Sequence, residues 1–367
     1  MKLINGTINL RKKNIFQYPI ISRILENSVF SYDPSFPGLH LIPISVNDVQ
    51  TYELSVNFID SLDLSYIKKT DTVIFLLQFE GWMHFFEYLD RHLKSKYNFE
   101  NIFYASEQLN FNEIPKNEKP NINHLFFLSQ DTWQPKKNFI EIPYSYELKD
   151  KIFLCYNRRS APHRCQLVSL MNAKNLLENS FVSLDVKNAH ETIQNDVFLS
   201  EFKKDFFLKN LPNENLTIDK YIPNSLDRKE YIQIERHHVR SMISIVTETH
   251  FYEPELSFTE KIYRPISLGH PFIVVGRPGY LKKLRDFGFK TFDGLIDEKY
   301  DTIHNPILRI EEIVRVMEHF YNMNDSERKT ICERMNIIAQ YNLSVFHKKE
   351  FVKNTSLNNF LFSYNDS

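Results

Sequence analysis

The chain has 367 residues, 42% of them hydrophobic and 25% charged, which exceeds a single compact core and points to two domains of ordinary size. Its 45 Lys+Arg against 46 Asp+Glu leave a formal charge of −1, so no net field draws nucleic acid or an anionic membrane, and any recognition of phosphate must be local. The three cysteines, Cys155, Cys165 and Cys332, lack metal-ligand spacing, residues 1–10 show no cleavable leader, and no uncharged apolar run reaches the ~18 residues of a membrane span; a soluble, cytoplasmic protein is expected, with peripheral membrane contact left open.

The first portion alternates apolar runs with amphipathic segments. Residues 72–79 (TVIFLLQF) read as a buried strand, 82–97 as a helix, and 101–105 (NIFYA) and 124–129 as further strands, an alternation that implies a parallel sheet covered by helices. The polar, proline-bearing stretch 134–150 reads as a linker. The second portion restarts with a strand at 151–156 (KIFLCY), a turn at 157–160 and a helix from Pro162, a favoured first helical position. A short strand at 181–184 and a loop-like region at 211–230 follow, then a strand at 241–247, a helix opened by Ser257, a strand at 271–275 and a helix at 280–287. Helical patterns at 310–321 and 326–340 complete this portion, and the tail has a helical pattern over 345–362 that could pack back on the first domain. The expected fold class is α/β: two Rossmann-like domains, 1–147 and 148–344, facing a cleft, with a tail at 345–367.

Five of the eight glycines fall between Gly269 and Gly294, a concentration that marks tight turns and close backbone approach at strand-to-helix junctions. Just before it, Ser257-x-x-Glu260 has the form of a capping box, and the cations Lys261 and Arg264 oppose the dipole of the helix it would open, which suggests an anion bound there. At a second junction, Asn157, Arg158, Arg159 and Arg164 could fork onto phosphate oxygens beside another helix N-terminus. Glu107 follows a strand of the first domain, where a carboxylate can act as a general base. There is no Asp-x-Asp pair to clamp a metal on a diphosphate, no phosphate loop and no G-x-G-x-x-G; Arg236-His237-His238 reads as a polar loop.

Together these elements resemble the family 10 fucosyltransferases, the α-1,3/1,4 type. Phe258-Thr259-Glu260-Lys261-Ile262 is similar to the family's V-T-E-K-I/L signature, and Ile245-Val246-Thr247-Glu248-Thr249 to its strand ending in Glu-Asn. The turn from Asn157 to Arg164 resembles the family's asparagine-to-arginine turn, and Tyr104-Ala105-Ser106-Glu107-Gln108 its Tyr-x-Gly-Glu-Asn element; the likeness covers about residues 100–300. It implies a GT-B arrangement and an inverting, metal-independent transfer, with no cofactor, of a fucose-like sugar from a GDP-sugar or other nucleotide-sugar donor to a hydroxyl of an oligosaccharide or polysaccharide acceptor. Glu107 would be the catalytic base, and Asn157, Arg158, Arg159, Arg164, Glu248, Thr249, Ser257, Thr259, Glu260 and Lys261 would bind the donor. Thr249 replaces the family's asparagine, Ser257 a common aromatic and Ser106 a glycine, so the donor sugar stays open. Another donor, a retaining mechanism, or a non-catalytic nucleotide- or glycan-binding module are the alternatives.

Overall fold

A computed structural model describes residues 2–3, 39–44, 64, 67–77, 83–106, 109–117, 121–126, 145–157, 159–218, 236–252, 254–348, 355–357 and 359–360. The chain divides into two compact units, one of Met1–Gln134, Pro254–Phe258 and Lys349–Ser367, the other of Pro135–Glu253 and Thr259–Lys348.

In the first unit the described elements are β1 (Lys2–Leu3), β2 (Leu39–Ile44), β3 (Thr72–Leu77), α1 (Met83–Tyr97), β4 (Asn101–Ser106) and β5 (His124–Phe126). The strands form one parallel sheet in chain order, β1-β2-β3-β4-β5. Phe86, Leu89 and Leu93 recur at helical spacing on α1 and pack with Val73 and Phe75 of β3 and Ile102 and Tyr104 of β4. Lys94 and Lys96 lie in the last turn of α1, where cations complement the dipole, and Asn98 leaves the helix with φ 52°, a left-handed conformation that asparagine tolerates. The Tyr104 hydroxyl donates to Asp90 Oδ1 at 3.1 Å, and burial followed by the Asp90 charge pushes that phenol well above its ordinary range. Segment 254–258 is tied to this unit by Asn110: Nδ2 donates to Pro254 O (2.8 Å), Oδ1 accepts from Leu256 N (2.9 Å), and Leu109 N donates to Leu256 O (2.7 Å). Phe360, from the end of the chain, packs on Phe103 with ring centroids 4.6 Å apart.

The second unit contains β6 (Lys151–Cys155), α2 (Pro162–Ala173), β7 (Ser180–Val182), α3 (Val186–Gln194), α4 (Glu201–Lys209), β8 (Ser241–Thr247), α5 (Glu260–Ser267), β9 (Phe272–Val275), α6 (Tyr280–Asp286), α7 (Pro306–Asn322) and α8 (Asp325–Lys348). Its sheet is parallel in the order β7-β6-β8-β9. Every residue of β8 is buried, as an interior strand covered on both faces requires. Asp185 caps α3 and Ser200 caps α4, two helices that the sequence pattern did not announce.

The order of this sheet doubles back. From β6 the chain crosses to β7 on one side, and β8 then lies on the other side of β6. Because such crossovers are right-handed, connections leaving β6 and β8 diverge to opposite faces and open a crevice between the carboxyl ends of these two strands. Among the described residues no helix is long and apolar enough to cross a membrane.

Candidate functional site at the carboxyl ends of two neighbouring strands

Beyond β6 the chain reaches Asn157, which is 2% exposed. Its N–H donates to Ser183 Oγ (2.9 Å), and its Oδ1 accepts from Thr247 Oγ1 at the end of β8 (2.8 Å), so one side chain spans the mouth of the crevice. Its Nδ2 donates to Cys155 Sγ at 3.3 Å; burial pushes that thiol up to about 12, keeping it protonated.

Pro162 opens α2, and Arg164 follows in its first turn. The buried Arg164 guanidinium lies along the strand ends, donating to Thr247 O (3.1 Å) and Arg159 O (3.3 Å). Arg159 itself is exposed, while Arg158 and Glu107 lie outside the described residues. Next to Arg164, the ring of His163 has its Nε2 3.0 Å from Glu248 O. Desolvation, helped by the Arg164 charge, lowers the His163 pKa to about 3, so the ring is neutral at ordinary pH; a carbonyl only accepts, which assigns the proton to Nε2.

Glu248, the first residue past β8, is 1% exposed. A buried carboxylate is costly unless its oxygens are hydrogen-bonded, and here each has a donor: Thr259 Oγ1 to Oε2 (2.6 Å) and Tyr280 OH to Oε1 (2.5 Å). The Glu248 N–H continues the sheet by donating to Val275 O (3.0 Å).

The capping box expected from Ser257 to Glu260 is not formed. Thr259 is the N-cap of α5, with φ −112° and ψ 177°, and its Oγ1 accepts from Lys261 N at 3.2 Å. Residues 254–256 are engaged by Asn110, so the chain enters the helix only after Thr259, and Ser257 Oγ, buried, makes no hydrogen bond among the described residues. Glu260 is therefore the first helical residue rather than the third. Arg264 moves with it: it lies in the last turn, where a cation complements the dipole, and its guanidinium sits 5.4 Å from the Tyr156 ring centroid. Of the two cations expected to oppose the macrodipole, Lys261 alone is in the first turn.

Thr259 Oγ1 uses its full capacity, donating to Glu248 and accepting from Lys261 N and from Lys261 Nζ (3.2 Å). Lys261 Nζ also donates to Thr249 Oγ1 (2.9 Å) and stands 3.3 Å from Glu260 Oε1. Thr249, Thr259, Glu260 and Lys261 are thus gathered at the amino end of α5, with Glu248 behind them.

Sequence reasoning missed Tyr280 and His163, both of which touch Glu248. The one signal for Tyr280 was the glycine cluster. Gly279, at φ 82°, turns the chain into α6 immediately before Tyr280, and a Cβ on Gly276 would stand 3.2 Å from the Tyr280 ring. His237 and His238 are engaged by other aromatic groups, Tyr156 OH at 3.1 Å from His237 Nδ1 and the His270 ring edge-on to His238. Among the described residues no three His, Cys, Asp or Glu side chains converge in a way that could hold a metal ion.

No protein-family model and no curated protein matches the chain. Among solved structures it is similar to an alpha,alpha-trehalose-phosphate synthase (UDP-forming) from Burkholderia vietnamiensis, with 12% identity and a TM-score of 0.39 over 98% of this chain and 82% of that one. It is also similar to the trehalose-6-phosphate phosphatase N-terminal domain of Candida albicans (8% identity, TM-score 0.40, 87% and 74% covered) and to an alpha,alpha-trehalose 6-phosphate synthase from Burkholderia multivorans (12%, 0.38, 90% and 71%).

Proposed function

We propose that the protein is a GT-B glycosyltransferase and that its second unit holds the diphosphate of a nucleotide sugar where β6 and β8 end. The observation that carries this reading is Lys261, a cation in the first turn of α5 at the carboxyl end of β8, where the helix N-terminus already favours an anion. Arg164 and Asn157 line the neighbouring strand end.

In the proposed reaction the Glu107 carboxylate takes the proton of an acceptor hydroxyl. That oxygen bonds to the anomeric carbon from the face opposite the diphosphate, whose bond to the same carbon breaks, and the configuration inverts. The charge developing on the departing diphosphate is met by Lys261, Arg164 and the first-turn amides of α5, the role a metal ion plays elsewhere. A fucose-like sugar on a GDP or other nucleoside-diphosphate carrier is the donor that the likeness of Phe258-Thr259-Glu260-Lys261-Ile262 to the fucosyltransferase signature favours.

Calorimetry with GDP and with UDP tests the donor site. The native protein is expected to bind one of them, and Lys261→Ala and Arg164→Ala to weaken that binding by about 1.5–3 kcal/mol each, the worth of a charge-assisted contact. Unchanged affinity in both variants would falsify the assignment.

A further inference from the structure

Among the described residues, Arg309 on α7 is one of the largest fully buried side chains, at 2% exposure. Its Nη1 donates to Ile303 O (2.8 Å) and His304 O (3.1 Å), its Nη2 donates to Phe251 O (2.8 Å), and its guanidinium carbon lies 4.2 Å from the centroid of the Phe251 ring. Two chains of contacts lead away from it, both inside the second unit.

The first runs through Phe251. Its ring stacks on His163, centroids 4.8 Å apart and planes within 14°, and His163 Nε2 donates to the backbone carbonyl of Glu248. The second runs through the carbonyls that Arg309 grips at residues 303–304, just after Asp301. Asp301 receives the amino end of α6: its Oδ1 accepts from Leu281 N (3.1 Å), its Oδ2 from Lys282 N (3.3 Å) and its backbone oxygen from Gly279 N (2.8 Å). Gly279, as the N-cap, has no side chain for that task, so Asp301 supplies the capping oxygens from a distance. The first residue of the helix fixed in this way is Tyr280, whose hydroxyl donates to the Glu248 carboxylate.

Both chains end on Glu248, one at its carbonyl and the other at its carboxylate. We infer that Arg309 is a positioning residue that sets Glu248, and with it Thr249 and Thr259, at the proposed diphosphate site. The inference deepens the donor-site reading and rests on it for its consequence in binding. Arginine suits the place because its planar fork reaches three carbonyls in different directions while one face lies on an aromatic ring; a lysine ammonium offers its donors from a single point. Desolvation lowers the guanidinium pKa to about 10, so it stays cationic at ordinary pH.

The test compares the native full chain with Arg309→Met and Arg309→Lys. It measures amide hydrogen exchange by peptide, denaturant stability, and affinity for the GDP or UDP that the native protein binds. In Arg309→Met, exchange across 248–252 and 279–282 is expected to rise about tenfold more than across β6 and β8, and affinity to fall about tenfold, with Arg309→Lys between the two. Exchange that rises evenly over the unit in step with lost stability, or affinity that holds in the folded variant, would show a structural role only and overturn the inference. Should the native protein bind neither nucleotide, the donor reading fails, and the exchange pattern alone decides whether Arg309 sets the Glu248 loop. Should Arg309→Met not fold, Arg309→Lys carries the same comparison.

Discussion

In the first unit the described strands run in chain order from β1 to β5, so every crossover steps the same way across the sheet. In the second, β7 and β8 flank β6 on opposite sides. Only the second arrangement splits the connections above its strand ends and leaves a crevice there. The side chains at the two carboxyl edges follow suit. In the first unit Ser106, the last residue of β4, has its Oγ 2.7 Å from Nε2 of His124, which opens β5 in register with Tyr104 and stacks on Phe111 with centroids 4.3 Å apart, a compact pairing of polar and aromatic groups. In the second, the strand ends carry the cations Arg164 and Lys261, suited to holding an anion, with the Glu248 carboxylate anchored behind them by its own donors. Each unit also contains a buried carboxylate that accepts from a tyrosine. Asp90 takes Tyr104 and the rim cation Lys94, whereas Glu248 takes Tyr280 and Thr259 in the middle of the candidate site. The same chemical pair therefore serves packing in one unit and site geometry in the other.

The largest effect that would break this division of labour belongs to Glu107. If the first unit supplies the base and the second the donor site, Glu107→Gln lowers turnover roughly a hundredfold to ten-thousandfold while donor affinity is kept. Steady-state rates at saturating donor and acceptor, beside calorimetry on the same preparation, check both halves; a loss of donor affinity would erase the distinction between the units.

The two tyrosines sharpen it next. Tyr280→Phe leaves Glu248 Oε1 without the hydroxyl that now donates to it, at a cost of about 1–3 kcal/mol, and is expected to weaken nucleotide binding as well. Tyr104→Phe leaves Asp90 its contact with Lys94, so the cost is expected to be smaller, about 0.5–1.5 kcal/mol, with no effect on nucleotide affinity. Urea midpoints and titrations of the two variants give the four values; equal losses of affinity would contradict the contrast.

A smaller, graded effect comes from acid. His163 and His270 are both in the second unit, and desolvation lowers each from 6.5 to about 3. With folded values below unfolded ones, their share of stability is intact above pH 6.5 and is lost as pH falls toward the folded values, with a slope approaching ~1.4 kcal/mol per pH unit for each ring. Urea unfolding followed between pH 6.5 and 5, above the ordinary carboxylate range, is expected to show this decline, and His270→Asn to flatten it; a flat native profile would contradict the buried neutral rings.

How much of this could be read in the sequence depended on whether a feature was local. β8 is legible residue for residue because Met242, Ile243, Ile245 and Val246, joined by the small or β-branched Ser241, Ser244 and Thr247, form one uncharged run between Arg240 and Glu248. β2, with Pro43 inside its run, gave no such pattern, since proline ordinarily argues against a strand in the interior of a sheet. α4 turns Phe202 outward, 79% exposed, and so carries no apolar stripe aimed at the core. The capping box was a fair local pattern with two hydroxyls in competition, and Asn110, a residue distant in sequence, decided for Thr259 over Ser257. Lys261, Glu248 and Asn157 were legible as candidates because they sit where strands meet helices. Tyr280, His163, Asp301 and Arg309 were not, because each gains its role only when folding brings it to the Glu248 loop.

The central claim, that a nucleoside diphosphate sits where β6 and β8 end, is tested most directly by amide hydrogen exchange of the native full chain with and without saturating GDP or UDP. The account predicts slower exchange across 157–164, 247–252 and 259–262, with residues 101–106 and 124–126 of the first unit unchanged. Protection centred on those first-unit strands, or none anywhere at saturation, would contradict it.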